Sequence, residues 1–183
     1  MVASLQHIST TSVTSAVSEI TMTGLDDTSV FIYYVSNVTP SSDGTYFRMQ
    51  FTESGTANTT TNYDYGAYFI RSNSSFTDLH NVNQAGLNVT NHTSGTAGNE
   101  SVNAEIMVSG HNRSNEYTFS IINSVNRDSG GNTYGTPTAS VFTVYSVVDG
   151  VKFFFTSGNI AQGQISLYKV LSWVNLDISE AMH

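Results

Sequence analysis

Apolar and polar residues alternate with a period of two along much of the chain, and helical spacing is almost absent. Residues 47–51, 102–109 and 151–155 each place apolar side chains at every second position. This pattern is typical of a β-strand that buries one of its faces. The chain is therefore predicted to be rich in β-structure.

Turn residues are predicted to join some of these segments into hairpins. Residues 28–38 are apolar on both faces, which predicts a central strand that is covered on both sides. The polar run at 40–44 predicts a tight turn from this strand into the strand at 45–51. Asp149-Gly150 is a dipeptide favoured in hairpin turns, and it predicts a second hairpin between the apolar segments on either side of it.

Further strands are predicted at 13–23, 63–71, 116–123, 138–148 and 164–170. In the segment 116–123, Tyr117, Phe119 and Ile121 are expected to point inward. The segment 72–100 is predicted to consist of long polar loops with at most a short strand near 87–89. About eight or nine strands without intervening helices predict an all-β fold, an antiparallel β-sandwich.

The composition is polar but still supplies a hydrophobic core. Only 39% of the 183 residues are hydrophobic, and Ser, Thr and Asn together make up more than a third of the chain. However, 10 Phe and 10 Tyr distinguish the chain from disordered proteins, which are poor in aromatic residues. We expect one sandwich domain at 1–170 and a short C-terminal extension at 171–183 that could dock on a neighbour.

Charge and cysteine content exclude several classes of protein. Six Lys and Arg against fourteen Asp and Glu give a net charge of −8, with no cluster of cations for a nucleic-acid backbone. The absence of Cys excludes disulfides and thiolate metal sites. Neither a signal peptide nor an apolar run of bilayer length is recognisable, so we expect synthesis in a host cytoplasm and no membrane span.

No catalytic, cofactor or metal site is predicted. The five histidines lie in predicted loops or at termini, and none has the spacing of a metal-binding pair. The segments Asn62-x-Asp64-x-Gly66 and Asp128-x-Gly130-x-Asn132 alternate oxygen donors but lack a complete calcium-binding loop. A glycan hydrolase stays a third alternative, since it would need two carboxylates in one cleft.

Two sets of residues are candidates for contacts with other molecules. Tyrosine and tryptophan rings offer flat apolar faces that can stack on sugars, and the candidates for this role are Tyr63, Tyr65, Tyr134 and Trp173. An apolar tail beyond a complete sandwich either pairs with its own sheet or docks on a neighbour. The interface candidates in that tail are Leu171, Trp173, Val174, Leu176 and Ile178.

The segment 158–168, GNIAQGQISLY, resembles the closing segment of a jelly-roll module found in virion structural proteins of tailed bacteriophages. That segment has the form Gly-Asn-φ-Ala-x-Gly-x-φ-x-Leu-Tyr, where φ is apolar. The strand at 30–35, the Arg48–Phe51 element and the pair Asn62-Tyr63 occur in the same order as in the module. The resemblance covers about residues 5–170 at the level of pattern, and it implies a sandwich of jelly-roll type.

The resemblance implies that the chain is a structural component of a virus particle and does not imply a reaction. We expect a non-enzymatic structural protein of a tailed-phage virion, a small decoration or adaptor subunit on the capsid or tail surface. Its expected partners are further copies of itself, with a trimer as the first expectation, and other virion proteins. The alternative is a carbohydrate-binding module that binds host-surface glycans, because jelly rolls serve both purposes.

Overall fold

The fold consists of two antiparallel β-sheets. The computed structural model describes residues 4–171, apart from the side chains of Ser74 and Ser75. In spatial order, the eight strands of the large sheet are β1 (Ser4–Val13), β13 (Ile160–Leu171), β3 (Phe31–Pro40), β9 (Val102–Ser109), β10 (Thr118–Arg127), β11 (Thr133–Phe142), β6 (Tyr63–Arg71) and β7 (Ser74–Gln84). The five of the small sheet are β2 (Glu19–Thr23), β12 (Gly150–Phe155), β4 (Phe47–Glu53), β5 (Thr56–Ala57) and β8 (Leu87–Asn88), the last two both pairing with β4.

The predicted all-β, antiparallel β-sandwich is confirmed. Phe47, Met49 and Phe51 of β4 are fully buried, as the alternation in this segment predicts. The Phe47 ring lies 5.9 Å from that of Phe153 on β12, and the Phe153 ring lies 5.4 Å from that of Tyr33 on β3. Aromatic side chains from both sheets therefore meet in one core, where each fully buried side chain contributes about 1.5–3 kcal/mol.

The two predicted hairpins are wrong. β3 belongs to the large sheet and β4 to the small one, so the polar turn at 40–44 carries the chain between sheets. Likewise, β12 pairs with β2 and β4 and not with β11. Turn residues reverse the chain direction, but they do not determine the sheet in which the next strand pairs.

Asp149 and Gly150 have structural roles other than a hairpin turn. The Asp149 carboxylate accepts hydrogen bonds from Thr52 Oγ1 at 2.6 Å and from the Gly55 amide at 2.8 Å. A Cβ atom on Gly150 would lie 2.4 Å from the carbonyl oxygen of Met22, so a side chain does not fit there. Glycine at this position is explained by the close approach of β2 to β12.

The segment 72–100 contains a long strand where the sequence predicts loops. Strand β7 pairs with β6 and forms one edge of the large sheet, while the expected short strand appears as β8. Polar residues such as Thr77, Asp78 and Asn83 are exposed on β7, which is why the segment lacks the pattern of a buried strand. Polar residues are common on sheet edges because they discourage pairing with other chains.

The described residues end one residue beyond the last predicted core strand. β13 runs to Leu171, so the extension expected at 171–183 lies outside the described residues except for Leu171. A helix with the length and apolar character that a bilayer crossing requires is absent from residues 4–171.

Candidate interaction surfaces

Three of the predicted glycan-contact residues are buried. Tyr63, Tyr65 and Tyr134 are at most 6% exposed. The Tyr63 ring stacks on Phe142 with the ring centres 4.7 Å apart, and its hydroxyl accepts a hydrogen bond from the Phe51 amide at 3.0 Å. Burial raises the pKa of Tyr63. In this structure none of the three offers an exposed ring face for stacking on a sugar.

Tyr134 belongs to a cluster that stabilises the turn between β10 and β11. Its ring stacks on that of His92 at 3.6 Å, and its hydroxyl donates to Asp128 Oδ2 at 2.9 Å. Burial opposes ionisation of Asp128, but hydrogen bonds from Asn132 and Tyr134 outweigh it and hold the pKa of this carboxyl below its ordinary value. The alternating oxygen donors at 128–132 are thus used by the turn itself. Over residues 4–171, no group of three or more His, Cys, Asp or Glu side chains is placed to hold a metal ion.

The interface candidates fall mainly outside the described residues. Leu171 ends β13, pairs with Ser4 of β1 and is 38% exposed. Trp173, Val174, Leu176 and Ile178 lie outside the described residues.

Strand β10 directs large apolar side chains away from the small sheet. Phe119, Ile121 and Val125 are between 43% and 51% exposed, whereas Ser120 and Ser124 are buried. The prediction that Phe119 and Ile121 point inward is therefore wrong. The hydroxyls of Ser120 and Ser124 are paired with β11, Ser120 Oγ with Ser140 Oγ at 2.6 Å and Ser124 Oγ with the Thr136 carbonyl at 3.5 Å, whereas Thr118 Oγ1 on the same face has no partner among the described residues. Pairing lowers the cost of burying the two serines.

This apolar surface continues across the neighbouring strands. The register places Ile121 beside Ala139 of β11, and Ala139 beside Gly66 of β6. The side chains of Tyr68 and Phe76 meet on the same side, with their rings 6.3 Å apart. We call this surface the outer apolar face, and its large exposed members are Phe119, Ile121, Val125, Tyr68, Ile70, Phe76 and Val82.

The outer apolar face is large for a single chain. From their fractional exposures, the seven residues together present about 700 Å² to solvent, and the polar residues Asp64 and His80 lie among them at the hollow. The largest apolar patch of a typical monomer is about 300–600 Å² and often functional. Its middle is hollow, because Gly66 and Ala139 are small while Phe119, Val82, Tyr68 and Ile121 rise on either side.

A second feature is a polar cleft between the small sheet and the edge of the large one. It has a volume of about 340 Å³ and lies where β4 and β8 approach the inner side of β6 and β7. We call it the polar cleft, and it is lined by Tyr46, Arg48, Tyr65, Leu79, Asn81, Gln84, Asn88, Asn91 and Thr156.

Hydrogen bonds hold the walls of the polar cleft in place. Arg48 Nη2 donates to the Gly86 carbonyl at 2.7 Å, and Asn91 Nδ2 donates to Thr138 Oγ1 at 3.1 Å. Two buried atoms in these walls, Arg48 Nε and Asn91 Oδ1, have no hydrogen-bond partner among the described residues. Burial raises the pKa of Tyr65, although the charge of Arg48 opposes this, so the phenol is neutral and able to donate at pH 7.

Sequence reasoning missed this cleft, apart from Tyr65. Its residues come from positions as far apart as Tyr46 and Thr156, and three of them lie on β7, which the sequence predicts as loop. No short motif connects them. The abundance of Asn in the segment 72–100 is the only local signal, and it does not distinguish a binding wall from a polar loop.

Comparison of the chain with protein-family models, with curated proteins and with solved structures gave no match. A fold class alone does not determine function, because sandwich folds carry many unrelated activities. The function is therefore argued from the two surfaces themselves.

Proposed function

We propose that the chain is a non-enzymatic structural subunit of a tailed-phage virion, a small oligomeric decoration or adaptor on the capsid or tail surface. The resemblance of the segment 158–168 to the phage module supports this proposal. The strand order supports a jelly roll within the sandwich. β1, β13, β3 and β9 are neighbours in one sheet, and β2, β12, β4 and β8 lie side by side in the other. Two such four-stranded sheets connected in this way are typical of jelly rolls.

The observation that carries the proposal is the outer apolar face. Its area of about 700 Å² is close to the roughly 800 Å² that each partner contributes to a stable protein–protein interface. Leaving such a surface in water is unfavourable by about 25 cal/mol per Å². We infer that further copies of this chain cover it.

The shape of the face favours a second copy as the occupant. Side chains such as Phe119 and Tyr68 project beside the hollow over Gly66 and Ala139. A surface with both projections and a hollow can pack against itself, as symmetric interfaces require. Each copy carries a net charge of −8, so copies repel one another at long range. Association should therefore strengthen as salt screens this repulsion, in contrast to an interface held by ion pairs.

Light scattering after size exclusion tests the assembly. The 19.8 kDa chain should elute as an oligomer. A face that packs against itself gives a dimer, so a dimer is the first mass to look for, whereas the trimer expected from the sequence would need two different contact surfaces. Ile121→Lys should produce a monomer, because it places a charge within the outer apolar face. Val147→Lys adds the same charge at an exposed apolar residue outside this face and should leave the mass unchanged. A wild-type chain that is monomeric at all concentrations and salt levels would overturn self-assembly.

The place in a virion needs its own experiment. Mass spectrometry of gradient-purified particles from a phage that encodes this chain should find its peptides in the particle fraction. If the peptides occur only in the soluble fraction of the lysate, the virion assignment is wrong even if the chain forms oligomers.

A further inference from the structure

The polar cleft has the size of a small ligand site. Its volume of about 340 Å³ falls within the range of about 300–1,000 Å³ that small-molecule sites occupy. Its walls come from both sheets, so the packing of the sandwich determines its shape. Gly86 takes part in this, because a Cβ atom there would lie 2.9 Å from the Met49 carbonyl oxygen. Glycine thus allows the segment that ends at β8 to lie directly over β4.

The residues that line the polar cleft offer both hydrogen-bond donors and hydrogen-bond acceptors. Asn81, Gln84 and Asn88 are partly buried in the cleft, and a side-chain amide can both donate and accept. One hydrogen of Gln84 Nε2 is already donated to the Val82 carbonyl at 3.0 Å, which leaves its second hydrogen and its oxygen. Arg48 adds a donor with a fixed geometry, and its Nε atom is unused by the described residues. Arg48 Nε and Asn91 Oδ1 are buried in these walls without a partner among the described residues, which is uncommon because buried polar atoms are nearly always paired.

Aromatic residues complete the lining. Tyr46 is 37% exposed at the cleft, and the phenol of Tyr65 lies in its wall. A tyrosine ring packs against the apolar C–H face of a sugar while its hydroxyl remains available for hydrogen bonds. Tyr46 has an exposed ring for this role, whereas Tyr65, a glycan-contact candidate from the sequence, is buried in the wall of the cleft.

The charge in the cleft favours a neutral ligand. Arg48 is the only charged residue among those that line it, and its Nη2 atom is already bound to the Gly86 carbonyl. Anion sites usually combine several cationic side chains or free backbone amides. Hydroxyl groups, which donate and accept at the same time, match amide side chains better.

We propose that the polar cleft binds a neutral saccharide unit, held by the amides of Asn81, Gln84 and Asn88, the guanidinium of Arg48 and the ring of Tyr46. This binding function is separate from assembly. Asn81 lies on the inner side of β7, whereas His80 and Val82 lie on the outer side, next to the hollow of the outer apolar face. A particle subunit could therefore bind glycans while its outer apolar face is covered.

The test uses the purified full-length chain on a microarray of neutral and acidic glycans, followed by titration of the best neutral glycan by saturation-transfer NMR. Asn81→Ala and Gln84→Ala each remove a hydrogen-bonding group from an edge strand, and each should weaken binding about three- to tenfold. Arg48→Lys should weaken it to a similar extent, because the ammonium cannot reproduce the guanidinium geometry. His80→Ala, on the opposite face of the same strand, is the matched control and should leave the affinity unchanged.

Several outcomes would overturn the proposal. These are the absence of any neutral glycan that binds, equal affinity in all three cleft variants and the control, and displacement of the glycan by an equal concentration of sodium sulfate. Melting curves of each variant, followed by circular dichroism, show whether a loss of binding comes from a loss of fold. Because Asn81→Ala should leave the oligomer mass unchanged, failure of the saccharide proposal and failure of assembly are distinguishable.

Discussion

Two adjacent isoleucines on β10 provide a direct test of how this strand is oriented. Ile121 is 48% exposed on the outer apolar face, and Ile122 is fully buried between the sheets. Both residues have the same side chain and are adjacent in the sequence. Replacing each by Ala therefore compares two environments with everything else matched.

The expected magnitudes differ by several kcal/mol. Ile122→Ala removes buried methyl and methylene groups and leaves a cavity, which costs about 2–5 kcal/mol of unfolding free energy. For a chain of this size, 1 kcal/mol shifts the melting temperature by about 2–4 °C. A loss of about 3 kcal/mol should thus lower it by about 6–12 °C. Ile121→Ala, at an exposed position, should change the unfolding free energy of the single chain by no more than about 0.5 kcal/mol.

Assembly adds a concentration dependence that separates the two variants further. Partner binding stabilises a folded chain by an amount that grows with concentration. Ile121→Ala should lower the melting temperature only at protein concentrations where the wild type is oligomeric, whereas the loss from Ile122→Ala should persist at every concentration. Differential scanning calorimetry over a dilution series measures both effects. If Ile121→Ala is as destabilising as Ile122→Ala in the most dilute sample, the outward orientation of Ile121 is wrong.

Two further predictions concern the core and its pH dependence. In denaturant titrations, Phe153→Ala should lower the unfolding free energy by about 3–5 kcal/mol. Phe154→Ala, on the other face of β12, should lower it by much less. Similar losses from the two variants would contradict the orientation of this strand. Burial holds the pKa of His111 below its ordinary value, an effect that Asp27 opposes, so the folded chain binds fewer protons than the unfolded chain and stability should fall as pH drops below about 6.5. His111→Leu should remove part of this fall, and His92, whose pKa burial also lowers, should contribute a further part. An unchanged pH profile would refute the assignment.

The sandwich could be predicted because its core strands alternate strongly. Phe47, Met49 and Phe51 lie in the core as their spacing requires, and so do Phe153 and Phe155 of β12. The pairing of the strands could not be predicted from the same pattern. Period-two alternation defines the two faces of a strand but not its neighbours, and in this chain both expected hairpins cross from one sheet to the other.

The orientation of β10 shows a further limit of sequence patterns. Its two faces carry Phe119, Ile121 and Val125 on one side, and Ser120 and Ser124 on the other. Hydrophobicity alone assigns the aromatic face to the core. In the opposite orientation, the inward hydroxyls of Ser120 and Ser124 find partners across to β11, and pairing of this kind depends on the register of two strands.

Strand β7 connects these observations. Its polar residues predict a loop, yet each of its faces contributes to a different surface. Asn81 and Gln84 line the polar cleft, whereas Val82 and Phe76 extend the outer apolar face. Because one face of β7 lines the polar cleft and the other belongs to the outer apolar face, its sequence lacks the regular alternation of a strand with one buried apolar face. This explains why the sequence does not predict a strand here.

The same geometry predicts that the two surfaces are energetically independent. Side chains that point to opposite faces of a strand share few contacts, and effects of sites without shared partners add to within about 0.5 kcal/mol. A chain that carries both Asn81→Ala and Ile121→Lys should therefore bind glycan as weakly as Asn81→Ala alone and have the mass of Ile121→Lys alone. If the double variant binds glycan much more weakly than Asn81→Ala does, assembly and binding are coupled. In that case the cleft would be complete only within the oligomer.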